Sequence, residues 1–222
     1  MKRLIAMTAL VTAATAGAQT IELGLTGGYA NGLSGEVFVH SPNVIGPVGV
    51  KVGVAYTRPV DAIRDSSDLG LGTFADAKRP TSAGGLDAKE YGSHTVVSLD
   101  ATYGLGEIAP GIDTLVYAGG RYGMFKSTED YGSNKSTYSA NAFGIGFGSM
   151  ASYALTGNLS LVGDLGFDYF FNSNINQVNT LATGGTNTAT YETSDADYKT
   201  YSDRFVRPGT AFKARLGVKY TF

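Results

Sequence analysis

The chain has 222 residues, with 17 Lys and Arg against 19 Asp and Glu, two His and no Cys, for a formal net charge of −2. Nothing in that balance favours nucleic acid, and a chain without thiols carries no disulfide or thiolate chemistry. No stretch reaches the roughly 20 consecutive apolar residues a spanning helix needs, so any crossing of a bilayer has to be made by strands.

Met1-Lys2-Arg3, the apolar run Leu4 to Val11 and the small residues Thr15-Ala16-Gly17-Ala18 follow one another in the order of a secretory signal. Cleavage is expected after Ala18, giving a signal peptide over 1–18 and a single domain over 19–222. Eight segments then alternate apolar and polar residues with the period of a strand, each near the about 9 to 11 residues that a tilted strand needs to cross the hydrocarbon layer.

Thr20 to Tyr29 puts Ile21, Leu23 and Leu25 on one face and Glu22, Gly24 and Thr26 on the other. Ser34 to Ser41 separates Val37 and Val39 from Glu36, Phe38 and His40. Pro47 to Thr57 sets Val48, Val50, Val52, Val54 and Tyr56 against Gly49, Lys51, Gly53, Ala55 and Thr57. Ser93 to Leu105 has Val97, Leu99, Ala101 and Tyr103 opposite Ser98, Asp100 and Thr102. In Thr114 to Phe125 two apolar sets compete, and Arg121 decides between them: on the lipid side it would cost about 2 to 4 kcal/mol, so it points inward. Tyr138 to Leu155 presents Phe143, Ile145, Phe147, Ala151 and Tyr153 outward. Leu159 to Phe171 presents Leu161, Leu165, Phe167 and Tyr169, with Asp164 and Asp168 inside. The last segment, Phe212 to Phe222, carries Lys213, Arg215 and Lys219 opposite Leu216, Val218, Tyr220 and Phe222.

A soluble sandwich or lipocalin-like barrel would place oil inside and charge outside. Here the continuous apolar face has to meet lipid. The fold class expected is all-β, an eight-stranded antiparallel transmembrane β-barrel of up-and-down topology. Connection lengths agree: short turns near 42–46, 106–113 and 156–158 alternate with long outer loops over 58–92, 127–137 and 172–207, only the first outer loop, 30–33, being small. Tyr29, Tyr56, Tyr169 and Phe171 fall at the outer strand ends and Tyr103, Tyr153, Tyr220 and Phe222 at the inner ones, as aromatic girdles require. The Asn/Thr/Ser-rich 172–207 loop reads as partly disordered, with Tyr191, Tyr198 and Tyr201 as candidates to extend strands above the membrane, and the mixed charges of 58–92 read as a solvated face.

With its signal, eight alternating strands, short inner turns and closing Tyr220-Thr221-Phe222, the chain resembles the small outer-membrane barrels typified by the OmpA transmembrane domain and OmpX. That resemblance implies a place in the cell outer membrane. It also implies that Leu216, Val218, Tyr220 and Phe222 form the C-terminal signal read by the barrel-assembly machinery.

Inside such a barrel, Glu22, Glu36, Asp100, Asp164 and Asp168 meet Lys51, Arg121, Lys213, Arg215 and Lys219. An eight-stranded bore is filled by side chains, so these charges are expected to pair and plug it. Other sites carry weaker signals. Gly144-x-Gly146-x-Gly148 has no helix behind it to hold a phosphate. Asp195 and Asp197, with Glu192, lack the Gly and distal Glu of a calcium loop. His94, at the outer end of the fourth strand, invites a lipid A-modifying reading with Ser98 and Asp100, but these lie far down the strand and a rim His is expected to be solvated. His40 sits near a periplasmic turn, at the opposite rim.

The function expected is structural: envelope integrity, with the 58–92 and 172–207 loops presented to an unknown extracellular partner, outer-membrane lipid around the wall, no nucleic acid, no cofactor and no catalytic or metal residue. A small porin or ligand channel is the alternative, and a lipid A-modifying enzyme the third.

Overall fold

A computed structural model describes residues 20–68, 70 and 72–222; the signal peptide expected over 1–18 lies outside the described residues. Ten strands form: β1 (Glu22–Ala30), β2 (Gly32–Ile45), β3 (Val48–Pro59), β4 (Lys89–Ala109), β5 (Ile112–Asp130), β6 (Lys135–Ala154), β7 (Leu159–Phe170), β8 (Ile175–Thr180), β9 (Thr186–Tyr191) and β10 (Thr210–Thr221). Among the described residues two short α-helices, α1 (Phe74–Ala77) and α2 (Tyr198–Arg204), and a 3-10 turn over Thr81–Ala83 lie in the long connections.

Strands β1 to β7 and β10 are antiparallel neighbours in chain order, and β10 returns to β1 along the register Glu22↔Thr221 to Ala30↔Lys213, closing an eight-stranded barrel. Closure matters because a backbone amide in hydrocarbon has no water to pair with, so an open edge would be costly all along its length. Along the wall the side-chain parity follows the sequence. On β3, Lys51, Gly53, Ala55 and Thr57 are buried while Val50, Val54 and Tyr56 are exposed. Arg121 on β5 is 3% exposed and takes Leu115 and Tyr117 inward with it, leaving Val116 and Met124 outside. All eight girdle aromatics are exposed.

Three boundaries differ from the expectation. The β4–β5 and β5–β6 hairpins continue well past the apolar band, so residues expected in the 127–137 loop are paired from Ser127↔Tyr138 to Asp130↔Lys135. Near the periplasmic side β4 and β5 run on to a two-residue turn at Pro110-Gly111, and β2 runs to Ile45 through the segment expected as a turn. Lastly, the 172–207 loop is not a disordered tract: it holds the β8–β9 hairpin and α2, and β8 pairs with the outer part of β6. The outer reaches of β4, β5 and β6 thereby join β8 and β9 in a five-stranded sheet beyond the membrane.

Long connections fold over the outer mouth. Ile63, Phe74, Phe125, Tyr138, Phe170 and Phe205 pack as one buried cluster, and an isolated bridge joins Ile63 to Phe205. Most charges of 58–92 are exposed, as expected of a solvated face, but the half-buried Glu90 and Lys78 help to hold this cap together. Glu90 accepts from the amides of Ala62 and Ile63 at 2.8 and 2.7 Å, and Lys78 pairs with both Asp65 and Glu90. Thr73 caps α1 through reciprocal bonds with Asp76.

Gly217 lies where a Cβ would collide with the Leu25 carbonyl on β1, whereas a Cβ at Gly120 meets nothing within 4 Å. Substitution Gly217→Val is expected to cost about 3 kcal/mol or more and abolish the fast-migrating, heat-modifiable band on semi-native gels, while Gly120→Ala keeps it. Equal migration of the two variants would contradict the register of closure.

Candidate functional site

Inward side chains of seven of the eight barrel strands converge on one polar core, which β6 faces with glycines. Near the inner rim, Glu22 receives Lys219 Nζ at 2.6 Å and His40 Nδ1 at 2.7 Å, and the other ring nitrogen of His40 lies 2.9 Å from Thr102 Oγ1. In the middle, Glu36 is bracketed by Arg215 at 2.6 Å and Lys51 at 3.3 Å. Arg215 also donates to Ser34 Oγ at 2.8 Å through Nη2 and lies 3.8 Å from Asp164. Toward the outer end, Arg121 donates to Asp100 at 2.6 Å and to Asp168 at 2.7 Å, and Asp168 accepts from Lys213 at 2.9 Å. Lys51 approaches Asp100 at 4.0 Å, linking the middle group to the outer one.

All ten lumenal charges singled out in the sequence are therefore buried, none more than 9% exposed, and each lies within 4.0 Å of an opposite charge. The periodicity places them there through strand parity alone. What it did not single out are the aromatic partners. Tyr117 donates to Asp164 at 2.6 Å and offers its ring to Lys51 at 4.6 Å and Lys213 at 5.5 Å. Phe38 lies beneath Lys51 at 5.3 Å, and His40 joins through Glu22. Their signal was in the sequence, since all three lie on inward positions, but a search for charge passes over rings. A cation held over an aromatic face in a dry site gains on the order of 2 kcal/mol.

Gly144, Gly146 and Gly148 sit mid-strand in β6, where added Cβ atoms would meet the Tyr169 carbonyl, the Asp168–Arg121 pair and the Tyr117 hydroxyl. The glycines make room for the network. Leu216, Val218, Tyr220 and Phe222 are all exposed on the lipid face of the last strand.

His94 corrects an expectation. It is 3% exposed, not solvated, because the cap folds over it: its ring meets Phe125 edge-on at 5.1 Å, and its Nε2 is buried without a hydrogen-bond partner. Ser98 and Asp100 lie further down the same strand, opposite Gly53 and Lys51, and Asp100 is committed to Arg121. At the outer loop, Asp195 accepts from the Glu192 amide at 2.7 Å and so closes a turn. Among the described residues, no group of three or more His, Asp and Glu is arranged to hold a metal.

A second polar centre lies in the cap. Glu129, 2% exposed, pairs with Arg204 of α2 and accepts from Tyr138 at 2.9 Å and Tyr131 at 3.1 Å. Burial, with the Glu129 charge beside it, pushes the Tyr131 hydroxyl up to about 12, so it stays a donor at neutral pH.

No protein-family model and no curated protein matches the sequence. Among solved structures, a major outer membrane protein from Thermus thermophilus is 30% identical over 93% of this chain and 100% of its own, with a TM-score of 0.83. The chain belongs to the small eight-stranded outer-membrane β-barrel proteins. It is a barrel of the outer membrane, so the eight-stranded outer-membrane barrel read from its alternating strands holds at the level of fold and location. The N-terminal β-barrel domain of Pseudomonas aeruginosa OprF (15% identity over 91% of this chain and 97% of its own, TM-score 0.43) and Acinetobacter baumannii CarO2 (13% over 92% and 98%, TM-score 0.45) are more distant.

Removing Arg121 leaves two buried carboxylates, Asp100 and Asp168, short of a counter-charge, and breaking a buried pair from one side costs about 3 to 5 kcal/mol. Arg121→Leu in lipid vesicles is thus expected to shift the urea midpoint of the folded band sharply downward, while a Leu at exposed Val54 leaves it within experimental scatter. A midpoint unchanged by Arg121→Leu would remove the network from the account of stability.

Proposed function

We propose that this barrel is a closed structural element of the outer membrane, contributing to envelope integrity and holding a folded cap of loops to the outside. The observation that carries the reading is the complete pairing of the ten lumenal charges within 4.0 Å. An ion crossing the barrel would have to displace groups that each already have an opposite charge within 4.0 Å, in a bore of eight strands that side chains alone can fill. Above that plug the apolar cap around Phe125, Phe170 and Phe205 covers the outer mouth, which supports the same reading.

Its partners follow from the same surfaces. Outer-membrane lipid meets the apolar wall; the barrel-assembly machinery reads the exposed Leu216, Val218, Tyr220 and Phe222; and an extracellular partner engages the 58–92 and 172–207 loops. Charged residues are consumed in pairing rather than arranged around an open acceptor, which favours a structural role over the small porin, ligand channel or lipid A-modifying enzyme.

Reconstitution into planar bilayers tests this. The folded barrel is expected to show no stable conductance steps. Large, long-lived single-channel steps from the wild-type chain would refute the plug and favour the channel.

A further inference from the structure

The five-stranded outer sheet carries a groove outside the lumen and the barrel wall, bordered on one side by Tyr131, Tyr138 and Tyr201 of the cap. Strand register aligns Glu129, Ser136, Asn179 and Asn187 in one transverse row across β5, β6, β8 and β9, on one face of the sheet. Alongside the row lies a cavity of about 400 Å³, within the roughly 300 to 1,000 Å³ range of small-molecule sites. Helix α2 forms one bank with Tyr201, which is stacked on Tyr191, and with Arg204, which is fixed on Glu129. The groove thus has three walls contributed by separate segments, each tied down by its own hydrogen bonds.

Its chemistry is neutral and polar. Glu129 is matched by Arg204, and Lys135 by Asp130 at 2.9 Å, so no unmatched charge is offered to a ligand. The amides have capacity to spare. Asn179 spends its Oδ1 on Ser136 at 2.7 Å and Gln177 at 2.9 Å and keeps its NH2 group, while the Asn187 side chain has no hydrogen-bond partner among the described residues. Adjacent strands are about 4.8 Å apart, so Ser136, Asn179 and Asn187 repeat hydroxyl and amide groups at a pitch close to that of successive pyranose rings. Rings with a polar tip, Tyr131 and Tyr201, border the row. One face of Tyr201 is covered by Tyr191 at 3.6 Å, so these rings contribute their apolar edges, beside amide and hydroxyl groups that match the polar rim of a sugar ring.

We propose that this groove binds a neutral oligosaccharide, two pyranose rings lying across β6, β8 and β9 with Asn179 and Asn187 as the discriminating hydrogen-bonders. The proposal rests on the reading that this end of the barrel is presented outside the cell.

Saturation-transfer NMR on the detergent-folded full-length chain, with cellobiose, maltose and N,N′-diacetylchitobiose each at about 10 mM, tests it. Transfer is expected to at least one of the three, with a Kd of about 1 mM. Asn187→Ala and Asn179→Ala are expected to weaken it about tenfold, whereas Asn176→Ala, three residues back along β8 and on the opposite face of the sheet, leaves it unchanged; heat-modifiable migration certifies that each variant is folded. Transfer to none of the sugars, or transfer untouched by both variants, overturns the proposal. So does binding of a Thr/Asn-rich peptide without any sugar, which would point to strand addition at the free edge of β9. Labelling of Asn187→Cys on whole cells by an impermeant maleimide, in a chain with no other cysteine, separates the two readings. A labelled site with no sugar binding sinks the oligosaccharide alone, while an unlabelled one sinks the outward orientation and the proposal with it.

Discussion

Within hydrocarbon a peptide group can find its hydrogen bond only inside the chain, and nearly everything in this protein follows from that requirement. The β1–β10 ladder meets it by removing the last free edge. Once the sheet is closed, the pleat has one face toward lipid and the other toward a narrow interior, so polarity is reversed relative to a soluble barrel. Charges that would be costly in lipid collect inside, and there they are too far from bulk water to remain single. Closure therefore dictates pairing, and pairing fills the lumen.

The filling is specific because the available shapes are few. Arg121 can reach Asp100 on its neighbour β4 and Asp168 across β6 only because Gly146 leaves the intervening position empty. Lys51 and Lys213 rest over the ring of Tyr117, whose hydroxyl is itself held by Asp164. The result is a connected set rather than a row of separate ion pairs. Above it the logic changes, since water can solvate the backbone again and strands no longer need to close. There β4, β5 and β6 splay into an open sheet with β8 and β9, and a conventional apolar core around Phe74, Phe125 and Phe205 takes over.

That change of solvent also explains what could be read in the sequence. Along the membrane band, alternation at Val50, Val52 and Val54 or at Leu216, Val218 and Tyr220 is enforced by lipid on one side and charge on the other, so strand number, parity and the ten lumenal charges were all legible. Beyond the band, Ser127 to Asp130 and Lys135 to Thr137 continue the same ladder with side chains that water tolerates on either face, and the period fades although the backbone pairing persists. The β8–β9 hairpin is built of Asn and Thr and looks like a solvated linker until α2 and Tyr138 are placed beside it. His94 escaped for a related reason. Its neighbours Phe125 and Pro208 come from β5 and from a connection more than a hundred residues away along the chain, and no local pattern encodes a cap.

The reversed polarity of the wall is most directly measured by spin labels placed singly at residues 48 to 56 of β3 in lipid vesicles, with oxygen and a water-soluble nickel chelate as competing relaxers. Oxygen accessibility is expected to oscillate with period two and peak at Val50, Val52 and Val54, with the chelate excluded from those positions. A chelate maximum at the same valines, or no oscillation at all, would contradict the account.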